Sequence, residues 1–303
     1  MGGLRQAAKA GLETILARSG VARAFGGSLR GEVLILAYHN IRRDAATVSG
    51  DRSLHLPLSS FRDHLDRLSG SHDVVPLAEV FDAPRGDRPR VAITFDDAYV
   101  GAVTLGIPEL VSRGLPATIF VAPHFLGGQS FWWDAIADSE GLTENVRMRA
   151  LEELRGQDGP IRDWAIASHR TIVEPAPDNR CVTEAVLSEV ASAPGITLGS
   201  HTWSHPNLAR LDGAELAGEF TRPLAWLGER FTSVIPWVSY PYGRWSPMVA
   251  AAARAAGYRA GLRVDGGWYR PGRDDDFAIP RLNVPAGLSA DGFALRLAGL
   301  FCQ

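Results

Sequence analysis

The stretch VAITFDD, residues 91–97, decides the fold. An apolar, β-branched run breaks off at two adjacent carboxylates, and it lacks the polar–apolar alternation of a strand with one wet face. A strand of that kind is buried on both sides, as in parallel sheets covered by helices. The same signature recurs at VLILAY (33–38), ATIFVA (117–122), ITLG (196–199), VIPWVSY (234–240), AGLRV (260–264) and FAIPRLNV (277–284). Helical periodicities fall between these runs: Phe61, Leu65 and Leu68 after Ser59 and Ser60 as caps, then 105–111, 216–227, and 247–256 ended by Gly257. Strand alternating with helix predicts an α/β barrel or a doubly wound sheet. Strand-like runs vanish from about 125 to 195, where 144–154 and 183–190 read as helices, so a helical insertion is expected there.

Composition narrows the function. With 303 residues, 46% of them hydrophobic, the chain can bury a sizeable core. Its 31 basic and 34 acidic residues give a charge of -3, which offers no general grip on nucleic acid. Lys9 is the only lysine, so a GxxxxGK phosphate loop is excluded and a Schiff-base lysine is disfavoured. Two cysteines, Cys181 and Cys302, build no disulfide framework and fit a reducing compartment. The first thirty residues carry no secretory apolar stretch, and no run approaches a membrane span, so a cytoplasmic protein is expected. Residues 1–30 read as an N-terminal helical segment before a barrel at 31–303. Leu4, Ala8, Leu12, Ile15 and Leu16 share one face beside Arg5, Lys9, Arg18 and Arg23. That face packs on the domain in the first reading and rests weakly on anionic lipid in the second.

In parallel α/β architectures, reactive groups gather where strands end. VLILAY ends at His39, VAITF at Asp96 and Asp97, and ITLGS at His201 with His205 four residues on; VIPWVSY ends at Pro241 and Tyr242. Burying two carboxylates without a partner is costly, so a cation is expected beside them. Two imidazoles at i and i+4 share a face if the turn is helical, and two His with one carboxylate suit Zn, Fe, Co or Mn. A metal-activated water is the implied nucleophile.

The segments AYHNI, VAITFDD, LPATIFVA, FWWD, LGSHTWSHPNL, SYPYGR, AAGY and PRLNV occur in this order between residues 33 and 284. In them the chain resembles the polysaccharide deacetylase family, carbohydrate esterase family four, in its chitooligosaccharide deacetylase-like form. The resemblance implies a distorted (β/α) barrel of about seven parallel strands. It also implies metal-dependent hydrolysis of the N-acetyl group of an N-acetylated saccharide, with zinc the first candidate ion. By motif, Asp96 is the implied general base, while Asp97, His201 and His205 are the implied metal ligands. The YPYG segment, with Pro241 and Tyr242, is implied to line the substrate groove, the Tyr242 backbone amide serving as an oxyanion donor. Trp203, between the ligand histidines, is expected to wall the pocket.

Three positions depart from the family pattern. Ala98 stands where glycine usually follows the double aspartate. Ser239 and Tyr240 occupy the place of the arginine that commonly precedes PYG, which leaves Arg281 or Arg244 to orient Asp96. No histidine follows His205, so the usual late acid is missing. His39, at the end of the opening strand, is the expected replacement, because a closed barrel has no first or last strand in space; His124 is the second choice. Trp132 and Trp133 are read first as core and second as sugar-stacking residues. His55, His64, His72 and His169 are expected in solvent, Asp274 to Asp276 on an exposed loop, and Cys181 in packing. Two other readings stand beside deacetylation: an amidohydrolase on a small non-sugar amide, and a silent carbohydrate-binding relative. Retention of Asp96 with all three ligands speaks against silence.

Overall fold

The computed structural model describes residues 13, 14, 16, 31–46, 50–83, 86–136 and 142–301. The expected terminal helix therefore lies outside the described residues except for Glu13, Thr14 and Leu16, and so does Cys302.

The apolar runs form strands β1 (Val33–Tyr38), β5 (Arg90–Phe95), β6 (Ala117–Val121), β7 (Ile196–Ser200), β8 (Val234–Ser239) and β9 (Ala260–Leu262), all but β7 and β8 buried throughout. With the short β10 (Leu282–Asn283) they lie in the order β10-β1-β5-β6-β7-β8-β9. Two-residue β4 (Asp73–Val74) adds to β5 outside this path. Every ladder is parallel, and the sheet curls into a distorted (β/α) barrel.

The strand expected over 277–284 is cut to two residues because the segment changes partners. Ile279 pairs with Leu262 of β9, and beyond Pro280, Leu282 and Asn283 pair with Leu36 and Ala37 of β1. The segment thus bridges the first and last strands, and Arg281 sits at the crossing. Past the end of β1, β2 (Asn40–Arg42) and β3 (His55–Pro57) form a separate parallel pair, a strap at the carboxyl edge of the barrel.

Helix α1 (Leu58–Ser71) buries Phe61, Leu65 and Leu68, but Ser59 and Ser60 fall inside its first turn. The Ser59 hydroxyl donates to Asp44 at 2.7 Å, and Pro57 stands at the cap. The helix expected at 105–111 starts earlier, as a π-helical turn over Ala102–Gly106 that runs into α2 (Ile107–Ser112). Between β6 and β7 come α3 (Trp132–Ala135), α4 (Glu144–Met148), α5 (Asp158–Ala167) and α6 (Glu184–Ala191). Helix α7 (Gly213–Arg230) opens with a capping box from Asp212 and Glu215, and α8 (Pro247–Ala255) opens on the Ser246 cap. Among the described residues, no helix is long and apolar enough to cross a membrane.

His169 is exposed as expected, but His55, His64 and His72 are buried rather than solvated. His64 takes the inner face of α1 one residue before Leu65, its ring stacked 3.8 Å from Phe293 and its Nδ1 3.2 Å from the Tyr38 hydroxyl. Burial pushes its imidazole down to about 4. A histidine with a satisfied nitrogen packs like an aromatic residue, and a loop-like sequence context does not reveal it.

Candidate metal centre and its cavity

Asp96 prolongs β5, its backbone N–H donating to the Tyr38 carbonyl at 2.9 Å. Side chains alternate along a strand, so the next carboxylate should point away. The chain instead turns left-handed at Asp97 (φ 71°) and Ala98 (φ 49°), which brings both carboxylates to one mouth. An alanine in that region costs on the order of 1–2 kcal/mol, which explains the usual glycine. Residues 180–182 hold the turn. Val182 N–H donates to the Ala98 carbonyl at 3.1 Å, Val100 N–H to Arg180 at 2.8 Å, and the buried Cys181 thiol to the Asp97 carbonyl at 3.3 Å.

His201 follows β7, its backbone N–H bonded to Val121 at 2.8 Å. The HTWSH turn is not helical: Thr202 (φ 63°) and His205 (φ 57°) are left-handed, and the two rings converge through a loop. Glu219 of α7 anchors it, accepting from the Trp203 and Ser204 backbone N–H groups at 2.9 Å each and from the Ser204 hydroxyl at 2.6 Å. The two Nε2 atoms lie 3.1 Å apart, and 3.5 Å (His201) and 3.4 Å (His205) from Asp97 Oδ1. A tetrahedral ion with bonds of about 2.0–2.1 Å spaces its ligand atoms roughly 3.3–3.5 Å apart. The triangle is close to that size.

Asp97 Oδ1 is buried with no hydrogen-bond partner, an orphan oxygen of the kind a cation would satisfy. His201 Nδ1 donates to the Ser239 carbonyl at 2.8 Å, which turns the Nε2 lone pair toward the triangle. Burial pushes the Asp97 carboxyl well above its ordinary range, with the Asp96 and Asp134 carboxylates adding to the effect. Burial also pushes both imidazoles down. Among the described residues, these three form the one group of His, Cys, Asp or Glu able to hold a metal ion.

Asp96 has a different partner. Arg281, 0% exposed, grips it with two hydrogen bonds, Nη1 to Oδ1 at 2.8 Å and Nη2 to Oδ2 at 2.7 Å. Thr94 Oγ1 accepts from Arg281 at 3.0 Å; Ser239 Oγ accepts from it at 2.7 Å and donates to Asp96 at 3.2 Å. Burial opposes ionisation of Asp96, but the guanidinium and His201 outweigh it and hold the carboxyl below its usual range. Ser239 stands where the family's arginine was expected, and Arg281 arrives beside it from the closing segment. Of the two arginines offered to orient Asp96, Arg281 is the one in contact with it, and it does not line the cavity. Arg244 faces the cavity and pairs with Glu152 at 3.5 Å instead.

A cavity of about 290 Å³ opens onto this centre, and His39, Asp96 and the three candidate ligands all line it. Burial pushes the His39 imidazole down to about 4, Asp96 opposing the shift and Arg281 adding to it. Trp132, Trp133 and Tyr242 make an aromatic wall, so the two tryptophans are both core and cavity surface. Tyr242 (φ 58°) lies 4.6 Å from the His205 ring and accepts a hydrogen bond from Trp132 Nε1 at 3.0 Å. Trp203 does not reach the cavity: its ring lies against the Arg222 guanidinium, 4.0 Å away. Pro241 is buried off the lining, and His124 is exposed outside it.

The sequence reading missed Asp51, Ser53 and Leu54 of the strap, and Arg147 and Leu151 of the insertion. Asp51 and Arg147 pair at 2.7 Å. No local signal marks these positions, because folding alone brings them to the cavity; Asn283 could have been found from its place in PRLNV.

A family model described as polysaccharide deacetylase matches residues 83–261, more than half of the chain. No curated protein matches it. The Streptococcus pyogenes deacetylase PplD, solved in complex with acetate, superposes with a TM-score of 0.60 at 16% identity, over 88% of this chain and 98% of that one. IcaB from Ammonifex degensii gives 0.61 at 18% identity, over 88% and 96%. The de-N-acetylase from Aggregatibacter actinomycetemcomitans gives 0.61 at 14% identity, over 88% and 99%. At such identities the likeness establishes the fold.

Proposed function

The chain belongs to the polysaccharide deacetylase family, and from that premise we propose that it removes the N-acetyl group from an N-acetylated amino sugar, with a divalent metal ion as cofactor. Zinc is the first candidate, and Co²⁺, Fe²⁺ or Mn²⁺ suit the same donors. The observation that carries the reading is the orphaned Asp97 oxygen facing two imidazole nitrogens, beside a second carboxylate already paired with arginine.

A bound cation would supply Lewis acidity and a water of lowered pKa. Asp97, His201 and His205 would hold that cation. Asp96, ionised throughout the physiological range, accepts a proton from the attacking water, and the Arg281 fork fixes the direction in which its oxygens point. The Tyr242 backbone N–H donates to the carbonyl oxygen of the acetyl group as charge develops there. His39 protonates the departing amine. At neutral pH its imidazole is unprotonated in the resting site, so it passes on a proton received during the reaction, the one that Asp96 takes first. Trp132, Trp133 and Tyr242 exclude water and seat the sugar.

Acetate release from N-acetylated chitooligosaccharides and from small amides, with metal analysis of the same sample, tests the proposal. Asp96→Asn is expected to retain metal and lose about 10²–10⁴ in kcat, whereas Asp97→Ala loses both. Fully metal-loaded protein that releases no acetate from any N-acetylated saccharide would overturn the reading.

A further inference from the structure

Behind the metal-binding turn lies a buried polar cluster that deacetylation chemistry does not use. Asp134, at 0% exposure, belongs to α3. Its Oδ1 accepts from His55 Nε2 at 3.0 Å and its Oδ2 from the Tyr99 hydroxyl at 2.7 Å. The Tyr99 oxygen in turn accepts from Trp133 Nε1 at 2.8 Å. Asn40 Nδ2 donates to His55 Nδ1 at 2.9 Å, which leaves the imidazole proton on Nε2, facing the carboxylate. A Cβ built on Gly50 would lie 2.3 Å from Asp134 Oδ1, so the strap presses directly on this carboxylate just before Asp51 enters the cavity lining.

Such a cluster contributes little net stability over an apolar core of equal volume, and its best-attested use is to specify one geometry. The geometry at stake is that of Trp133. Its indole stacks on Phe131 at 4.3 Å, sits 5.0 Å from the His205 ring and 5.8 Å from Tyr242, and forms part of the cavity wall. Its one polar atom is held, among the described residues, by Tyr99. Apolar contacts let a flat ring slide or tilt; a directional hydrogen bond to a hydroxyl, itself fixed by a buried carboxylate, removes that freedom.

We propose that His55, Asp134 and Tyr99 are positioning residues, a relay that locks the Trp133 indole against His205 as the wall on which substrate is seated. The identity of that substrate rests on the deacetylase reading; the locking of the ring does not. It ties the strap, the Asp97 turn and the insertion, three segments remote in sequence, to one edge of the site.

Tyr99→Phe keeps the ring and deletes the hydroxyl at the centre of the relay, so it is the variant most compatible with folding. The full-length protein labelled with 5-fluorotryptophan gives the direct readout, with the Trp133 resonance in the ¹⁹F spectrum assigned by its loss in Trp133→Phe. In Tyr99→Phe that resonance is expected to shift or broaden while resonances of the tryptophans remote from the site hold. With penta-N-acetylchitopentaose, KM should rise about fivefold, the scale of one hydrogen bond, with kcat within about twofold and metal content unchanged. Asp134→Asn, if it folds, should move the same resonance. An unmoved Trp133 resonance in Tyr99→Phe overturns the relay, even if thermal stability falls. A moved resonance with unchanged KM on an active enzyme overturns its link to substrate. Failure of the parent protein to release acetate would instead fall on the proposed function and leave the spectroscopic test standing.

Discussion

Asp96 and Asp97 are adjacent in sequence, 1% and 3% exposed, and end in opposite electrostatic states. Asp96 meets the Arg281 guanidinium and the Ser239 hydroxyl, and Thr94 and Ser239 hold the guanidinium in turn, so every charge around it is answered. Asp97 faces two imidazoles and leaves an oxygen unpartnered. A complete network specifies a group that stays in one form, whereas an incomplete one specifies a place for something else. Their pKa directions say the same: arginine holds the first carboxyl below its usual range against the effect of burial, while burial lifts the second well above it.

The largest expected effect breaks the incomplete side. A His201→Ala, His205→Ala double variant should lose metal affinity by more than about 100-fold and lose turnover with it. Stoichiometric metal in that variant, measured by elemental analysis, would refute the assignment of the trio. His39→Asn tests whether the cavity's third function stands apart from both carboxylates. It should lower kcat by about 10²–10⁴ with metal retained; activity within about threefold of the parent would send the role elsewhere.

Arg281→Met attacks the complete side. Leaving Asp96 buried and unpaired should cost roughly 3–5 kcal/mol in urea unfolding at neutral pH. A carboxyl depressed in the folded state contributes stability above its unfolded pKa and loses it as pH falls through the folded value. The gap between variant and parent should therefore narrow on acidification below the ordinary carboxylate range; a gap independent of pH would mean that Arg281 acts through packing. The smallest effect lies away from both carboxylates. His64, pushed down to about 4, favours the folded state above its ordinary value of 6.5, and this contribution is lost as pH falls from 6.5 toward 4. His64→Gln should flatten that part of the stability profile, by at most roughly 3 kcal/mol. An unchanged slope would contradict the buried, neutral state of this ring.

The strand runs from VLILAY to AGLRV were legible because burial on both faces imposes an apolar signature that survives any tertiary detail. FAIPRLNV misled in length alone, since a segment shared between two partner strands looks like one strand in sequence. Asp96, Asp97, His201 and His205 could be named because strand ends converge on one face, yet the helical turn imagined for HTWSH is a left-handed loop held by Glu219. Trp203 failed as a wall residue for the same reason: in that loop its ring turns away to Arg222.

The sequence by itself determined the parallel α/β architecture, the carboxylate and imidazole donors, and the shortage of a late histidine, all of which follow from local pattern and residue chemistry. Only the tertiary structure decided between Arg281 and Arg244, set Asp51 and Arg147 across the cavity from 96 residues apart, and gathered His55, Tyr99 and Asp134 behind the site. Hydrogen bonds form wherever folding brings a donor to an acceptor, and when the partners lie far apart in the chain no periodicity links them. The strand signal is written in each residue's immediate neighbours, whereas the pairing of buried charges is written in the closure of the barrel.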